Sequence, residues 1–157
     1  MLSPSTSIQF TSKGVNMAIA SDTLTIARSY SEASNAKDWD RLRNDILAPD
    51  VEAWSHSAQF LERGPEEIIH ALQQSKGAVT DTHIEVHNAV VDGDQAVLEL
   101  RIRGTAHGDP NDRTNTTLTG EELPVTLSTC HVYKIRDGKI WRLATYSDRT
   151  FRFDEPA

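Results

Sequence analysis

An α+β domain, with three helices packed on a curved, mainly antiparallel sheet, is predicted by three observations. Helical spacing of apolar residues is confined to residues 22–77, apart from a short strand at 51–56. From residue 78 onward apolar and polar residues alternate as strands do, with turn signals between the runs. The composition does not shift along the 157 residues, so a single domain at 21–150 is expected, flanked by a flexible extension at 1–20 and a tail at 151–157.

Taking the elements in order, Ser21 or Asp22 can cap a first helix, "DTLTIARSYSEASNAKD". Leu24, Ala27, Tyr30 and Ala33 or Ser34 recur there at helical spacing, which turns Tyr30 inward. "DWDRLRNDIL" is a second short helix with Trp39, Leu42 and Ile46 on one side, stopping before Pro49. "VEAWSH" follows as a strand. "GPEEIIHALQQSKG" is the third helix, with Pro65 suited to a first turn, acids at the positive end and Gly77 at the close. "HIEVHNAVV" and "QAVLELRIRGTA" form a hairpin across "DGD", residues 108–120 a polar loop, and "LPVTLSTCHVYKIR" and "KIWRLATYSD" a second hairpin.

A formal net charge of −7 argues against nucleic acid or an anionic membrane as partner, since both need a basic surface to release counterions. No stretch reaches the ~20 apolar residues of a membrane span, and the opening residues lack the basic start and apolar core of a signal peptide. Met17 could serve as the natural start. Cys130 is the only cysteine, which rules out an intrachain disulfide and suits a reducing compartment, so a cytoplasmic location is expected.

The second hairpin decides where His131 points. A two-residue turn at Asp137-Gly138 pairs Arg136 with Lys139 and puts His131 with Arg142, Tyr146 and Asp148. A three-residue loop pairs Ile135 with Lys139 and groups Thr129, His131 and Tyr133 with Trp141, Leu143 and Thr145. The second segregates apolar from polar far better and buries none of Lys134, Arg142 or Asp148 at a cost of several kcal/mol, so it is preferred. A histidine on an apolar face is often only a hydrogen-bonded core residue. Thr129, Tyr133 and Thr145 beside it, with Tyr30 opposite, fit a small-molecule pocket better.

In "YSEASNAKDWDRL", "GPEEIIHAL", "RGTAHG" followed by "TGEELPV", and "VYKIRDGKIWR" running to "YSD", the chain resembles the SnoaL-like branch of the nuclear transport factor two-like superfamily, over residues 23–148. The resemblance implies a cone-shaped α+β barrel, often dimeric, with a pocket between sheet and helices. It implies polyketide cyclase, ketosteroid isomerase, dehydratase or limonene-epoxide hydrolase chemistry without a cofactor, or a non-catalytic binder. By position, Tyr30 matches the first-helix tyrosine that donates to the oxyanion in ketosteroid isomerases. His131 matches their second donor, a protonated aspartate there and a histidine in the cyclase pattern. The isomerase's general-base aspartate falls at Ser55, and the last-strand acid of cyclases and epoxide hydrolases at Thr145, so neither carboxylate is present.

Asp148 is the nearest acid to that strand, facing away on the three-residue loop. His56, next to Ser55, would replace the missing base if it, rather than Ser55, faces the pocket with Trp54. His70, His83, His87 and His107 read as surface or loop residues, and no spacing suggests a metal site. Cys130 has no base beside it to make a nucleophile.

The expectation is therefore a cofactor-independent acid/base enzyme for a small, apolar, oxygenated molecule of polyketide, terpenoid or steroid type, acting as a homodimer. Tyr30, His131 and His56 are its catalytic candidates, and Trp54, Ser55, Tyr133, Trp141, Thr145 and Asp148 its substrate-binding ones. The alternative is a non-catalytic binding or dimeric accessory domain, favoured by both missing carboxylates.

Overall fold

Two periodicities in the chain become two layers, helices over one face of a sheet. The computed structural model describes residues 13–74, 79–108, 122–147 and 152–153. The extension up to residue 12, nearly all of the polar loop, Asp148 and most of the tail lie outside the described residues. Chain order is α1 (Lys13–Ala36), α2 (Trp39–Arg41) running into a π-helical turn (Leu42–Ile46), β1 (Leu47–Ser55), β2 (Phe60–Arg63) and α3 (Gly64–Gln73). Then come β3 (Val79–Asp92), β4 (Gln95–Ala106), β5 (Leu123–Arg136), β6 (Lys139–Ser147) and β7 (Arg152–Phe153). The sheet runs β2-β1-β6-β5-β4-β3 and is not closed, β2 and β3 being its edges. Among the described strands, only β1 and β6 pair in parallel.

α1 begins at Lys13, not at the Ser21 or Asp22 cap. Ser21 instead sits inside the helix, its carbonyl accepting from the Thr25 hydroxyl at 2.9 Å. Ala27, Tyr30 and Ala33 form the buried stripe. Two side chains fasten α1 to the sheet. The Thr23 hydroxyl donates to the Gly93 carbonyl at 2.8 Å, and the Asn35 amide both donates to the Ile84 carbonyl (2.9 Å) and accepts from the Ile84 N–H (2.8 Å). Asn35 thus pairs with edge strand β3 as another strand would, and Tyr30 is held over the sheet between these ties.

Asp38 caps α2 by accepting from the Arg41 N–H at 3.1 Å. β1 starts earlier than the sequence suggests and contains Pro49, which falls in the stretch between Leu47 and Glu52 where pairing with β6 breaks. β2 is a strand the sequence reading does not contain. At α3 the Glu67 carboxylate accepts from the Arg63 N–H at 2.6 Å, Pro65 fills the first turn, and Ile68 and Ile69 are buried.

The second hairpin combines both expected geometries. Arg136 pairs with Lys139 across a two-residue turn in which Asp137 (φ 52°) and Gly138 (φ 74°) are both left-handed. The register then shifts between Ile135↔Ile140 and Lys134↔Arg142, leaving Trp141 as an extra residue on β6. The bulge, not a longer loop, returns His131 to the face of Leu143 and Thr145. It also removes Trp141 from that face, where Ile140 takes the core position. The Trp141 ring instead lies 5.0 Å from the Arg136 guanidinium. Part of the expected tail is ordered as β7: β6 reaches only to Thr129 of β5, and Arg152–Phe153 pair with the edge left open at Val125 and Thr126.

Candidate active site

Register alone lines up the site. Across the inner face, one row of paired residues reads Phe60, Ser55, Thr145, His131, Leu98, Ala89. The next reads Glu62, Ala53, Leu143, Tyr133, Ala96, Val91. In the first row the central residues, Ser55 and Thr145, are too short to reach the helices above. A cavity of about 190 Å³ results, bounded above by Tyr30 of α1 and by Ile68, Ala71 and Leu72 of α3. Phe60 stands at its mouth, 40% exposed.

Tyr30 and His131 meet inside it, with ring centroids 6.4 Å apart and planes at 69°. Both are buried, at 4% and 7% exposure. The Tyr133 hydroxyl lies 3.0 Å from His131 Nδ1, and its ring centroid is 5.8 Å from Tyr30. Burial, and after it the charge of Glu62, pushes the Tyr30 phenol far above its ordinary range. Burial likewise pushes Tyr133 up, with Tyr30 adding to the rise. Both phenols therefore keep their protons at any ordinary pH and remain hydrogen-bond donors. A Tyr133 O–H directed at Nδ1 leaves the imidazole proton on Nε2.

Of the sequence candidates, Tyr30, His131, Ser55 and Thr145 line the cavity, whereas Trp54 touches only its rim, its register placing the ring on the outer face beside His56. Tyr133 lies fully buried behind His131 and orients it rather than forming the wall. His56 does not join them. Ser55 pairs with Thr145, which turns His56 to the outer face, where its exposed ring stacks on Tyr146 at 4.3 Å. Trp141 is likewise absent from the cavity, for the bulge described above. Asp148 lies outside the described residues.

One residue the sequence reading lacks is there. Glu62, on β2, is the one carboxylate among the described lining residues. The signal that could have found it is the alternation in "QFLER", which puts Phe60 and Glu62 on one face. Among the described residues no group of three or more His, Cys, Asp or Glu side chains could hold a metal ion. Burial, with Glu99 second, raises the Cys130 thiol, so it is a poor nucleophile. No described helix is long and apolar enough to cross a membrane.

Comparison with curated proteins finds no match. Solved structures of the same fold include a candidate SnoaL-like polyketide cyclase from Jannaschia sp. CCS1, 19% identical, covering 83% of this chain and 88% of that one, with a TM-score of 0.67. An LEH-like epoxide hydrolase from M. tuberculosis is 18% identical over 82% of this chain and 84% of its own, TM-score 0.62. A candidate ketosteroid isomerase from Kribbella flavida is 19% identical over 88% and 84%, TM-score 0.63. These likenesses show the fold. The model of the SnoaL-like domain matches residues 27–143, which takes in the tyrosine of α1, the edge strand with Glu62 and the histidine of β5. The chain belongs to the SnoaL-like domain family.

Proposed function

We propose that the chain is a cofactor-independent enzyme that binds a small, largely apolar, oxygenated molecule and activates it through one oxygen, in a cyclisation, isomerisation, dehydration or epoxide opening. A single observation carries this reading: two buried donors, Tyr30 and His131, converge on one wall of a mostly apolar cavity. Donors fixed in a water-poor shell stabilise charge developing on an oxygen without reorganising, and removing one such donor commonly costs about 10²–10³ in rate. A polyketide-, terpenoid- or steroid-like substrate in the cytoplasm fits this chemistry, and the single cysteine supports the compartment.

The second reading, a non-catalytic binder, is favoured by Ser55 and Thr145. Both stand in the cavity where a carboxylate is expected, and neither can take a proton. Titration with 2-naphthol, an apolar molecule with one acidic oxygen, tests the donors common to both readings. Tyr30→Phe and His131→Ala should each weaken binding about tenfold, the worth of one hydrogen bond. Unchanged affinity in both variants would refute the assigned roles.

The proposed homodimer is supported by the outer sheet face. There Leu61, Trp54, Ala144, Val132, Val97 and Val90 form one apolar row across six strands, with Val90 61% exposed. Sedimentation should show a dimer that Val90→Lys dissociates. A wild-type monomer at high concentration would contradict it.

A further inference from the structure

Resting on the donor pair assigned above, we propose that Thr129, Thr145 and Ser147 form an acceptor corner that reads a second group on the same ligand. The substrate then carries a free hydroxyl besides the oxygen held by Tyr30 and His131. An ether or a second carbonyl in place of that hydroxyl is rejected.

Register gathers the three hydroxyls. Thr145 faces His131 across the β5–β6 pair, and Ser147 faces Thr129 one step along the same face. All three line the cavity, and Thr129 is buried. What sets them apart is where their protons go. The Thr145 hydroxyl donates to the Trp54 carbonyl at 3.4 Å and the Thr129 hydroxyl to the Tyr146 carbonyl at 3.3 Å. The Ser147 hydroxyl donates to Ser57 Oγ at 3.3 Å. That oxygen also accepts from the Ser147 N–H at 3.0 Å and gives its own proton to the Ser147 carbonyl at 2.7 Å. A hydroxyl has one proton and two lone pairs. With the proton committed to the protein, a ligand meets the lone pairs.

The cavity is therefore divided by hydrogen-bonding sense: Tyr30 and His131 give protons, and the corner beside them takes one. A ligand O–H adds a bond at the corner and leaves the existing ones intact. An ether oxygen brings no proton. A carbonyl must draw a threonine proton away from the backbone, losing one bond for each it makes, so its own desolvation goes uncompensated. A site built to bond a hydroxyl in this way discriminates sharply against the analogue that lacks it. Beyond the corner the wall turns apolar through Leu127, Ile102 and Ile84, which fixes the hydroxyl to the corner. Facing side chains on paired strands stand about 5 Å apart, so the two ligand oxygens are separated by about that distance.

The probes are 1-tetralone, 7-hydroxy-1-tetralone and 7-methoxy-1-tetralone, with 2-naphthol as the control for the donor pair. The ketone oxygen has no proton and takes the donor end in all three, and position 7 sets the second oxygen about one strand spacing away. Wild type should bind the hydroxy ketone about tenfold more tightly than 1-tetralone, and the methoxy ketone no more tightly than 1-tetralone. Thr129→Val combined with Thr145→Val removes two of the acceptors with residues that suit a strand. It should bring the hydroxy ketone to within about twofold of 1-tetralone, whereas Thr129→Ser with Thr145→Ser should keep the preference. A methoxy ketone bound by wild type as tightly as the hydroxy ketone would overturn the corner, and so would a hydroxy preference that survives in the double valine variant. A wild type that binds 2-naphthol but none of the three ketones would overturn it too, leaving the donor pair standing. Affinity for 2-naphthol that is indifferent to both Tyr30→Phe and His131→Ala would remove the donor pair, and the corner with it.

Discussion

Two adjacent rows on the inner face of the sheet are built alike and end differently. The row through Leu143, Tyr133 and Ala96 is solid from Tyr133 to Ala96, with those three residues 1%, 0% and 0% exposed, and Leu143 and Ala53 contribute to the cavity floor from its other end. The row through Ser55, Thr145 and His131 is hollow at its centre. Backbone pairing is the same in both, so the cavity is a matter of side-chain length: a phenol and a leucine fill the space below the helices, a serine and a threonine do not. The solid row also serves the hollow one, because Tyr133 reaches across to His131 Nδ1. Stability and function therefore belong to neighbouring rows, and variants should separate them.

The largest effect is expected in the solid row. Leu143→Ala should cost about 2–5 kcal/mol in urea denaturation, whereas Ser55→Ala in the hollow row should stay within about 1 kcal/mol. Equal losses would mean the rows are packed alike. Next in size, Tyr30→Phe should weaken 2-naphthol about tenfold with little change in stability. Thr145→Leu would fill the hollow row. It should alter stability by only about 1 kcal/mol yet weaken 2-naphthol at least about tenfold, and a large destabilisation would show that the space is already occupied.

The smallest effect is in pH dependence. Tyr30 and Tyr133 have folded pKa values raised above the ordinary 10.0. Their contribution to stability is fully present below that pH and is lost as pH rises through the folded values. Urea midpoints should thus fall above about pH 10, and Tyr30→Phe should flatten the fall. An unchanged alkaline slope would place the loss elsewhere.

Much of this was legible in the sequence, because it rests on which face a residue takes. Segregating apolar from polar side chains in β5 and β6 identifies the face of His131, although the turn has two residues rather than three. A bulge at Trp141 shifts the register by the one residue needed, and nothing in the local sequence marks it. The choice between Ser55 and His56 stayed open because it depends on the parallel pairing of β1 with β6, a contact between strands about ninety residues apart. β2 was missed because four residues are too few for alternation to stand out, and Glu62 went with it. Short edge strands are where sequence period carries least information, and here one holds the one carboxylate among the described residues of the cavity.

The central claim is that the ring of His131 and the phenol of Tyr30 present their protons to one ligand oxygen inside the cavity. A crystal structure with 2-naphthol bound tests it directly. The account predicts the naphthol oxygen within about 3.2 Å of both Tyr30 Oη and His131 Nε2, with the rings packed between Thr145 and α3. A naphthol oxygen directed out past Phe60, with neither donor in reach, would contradict it.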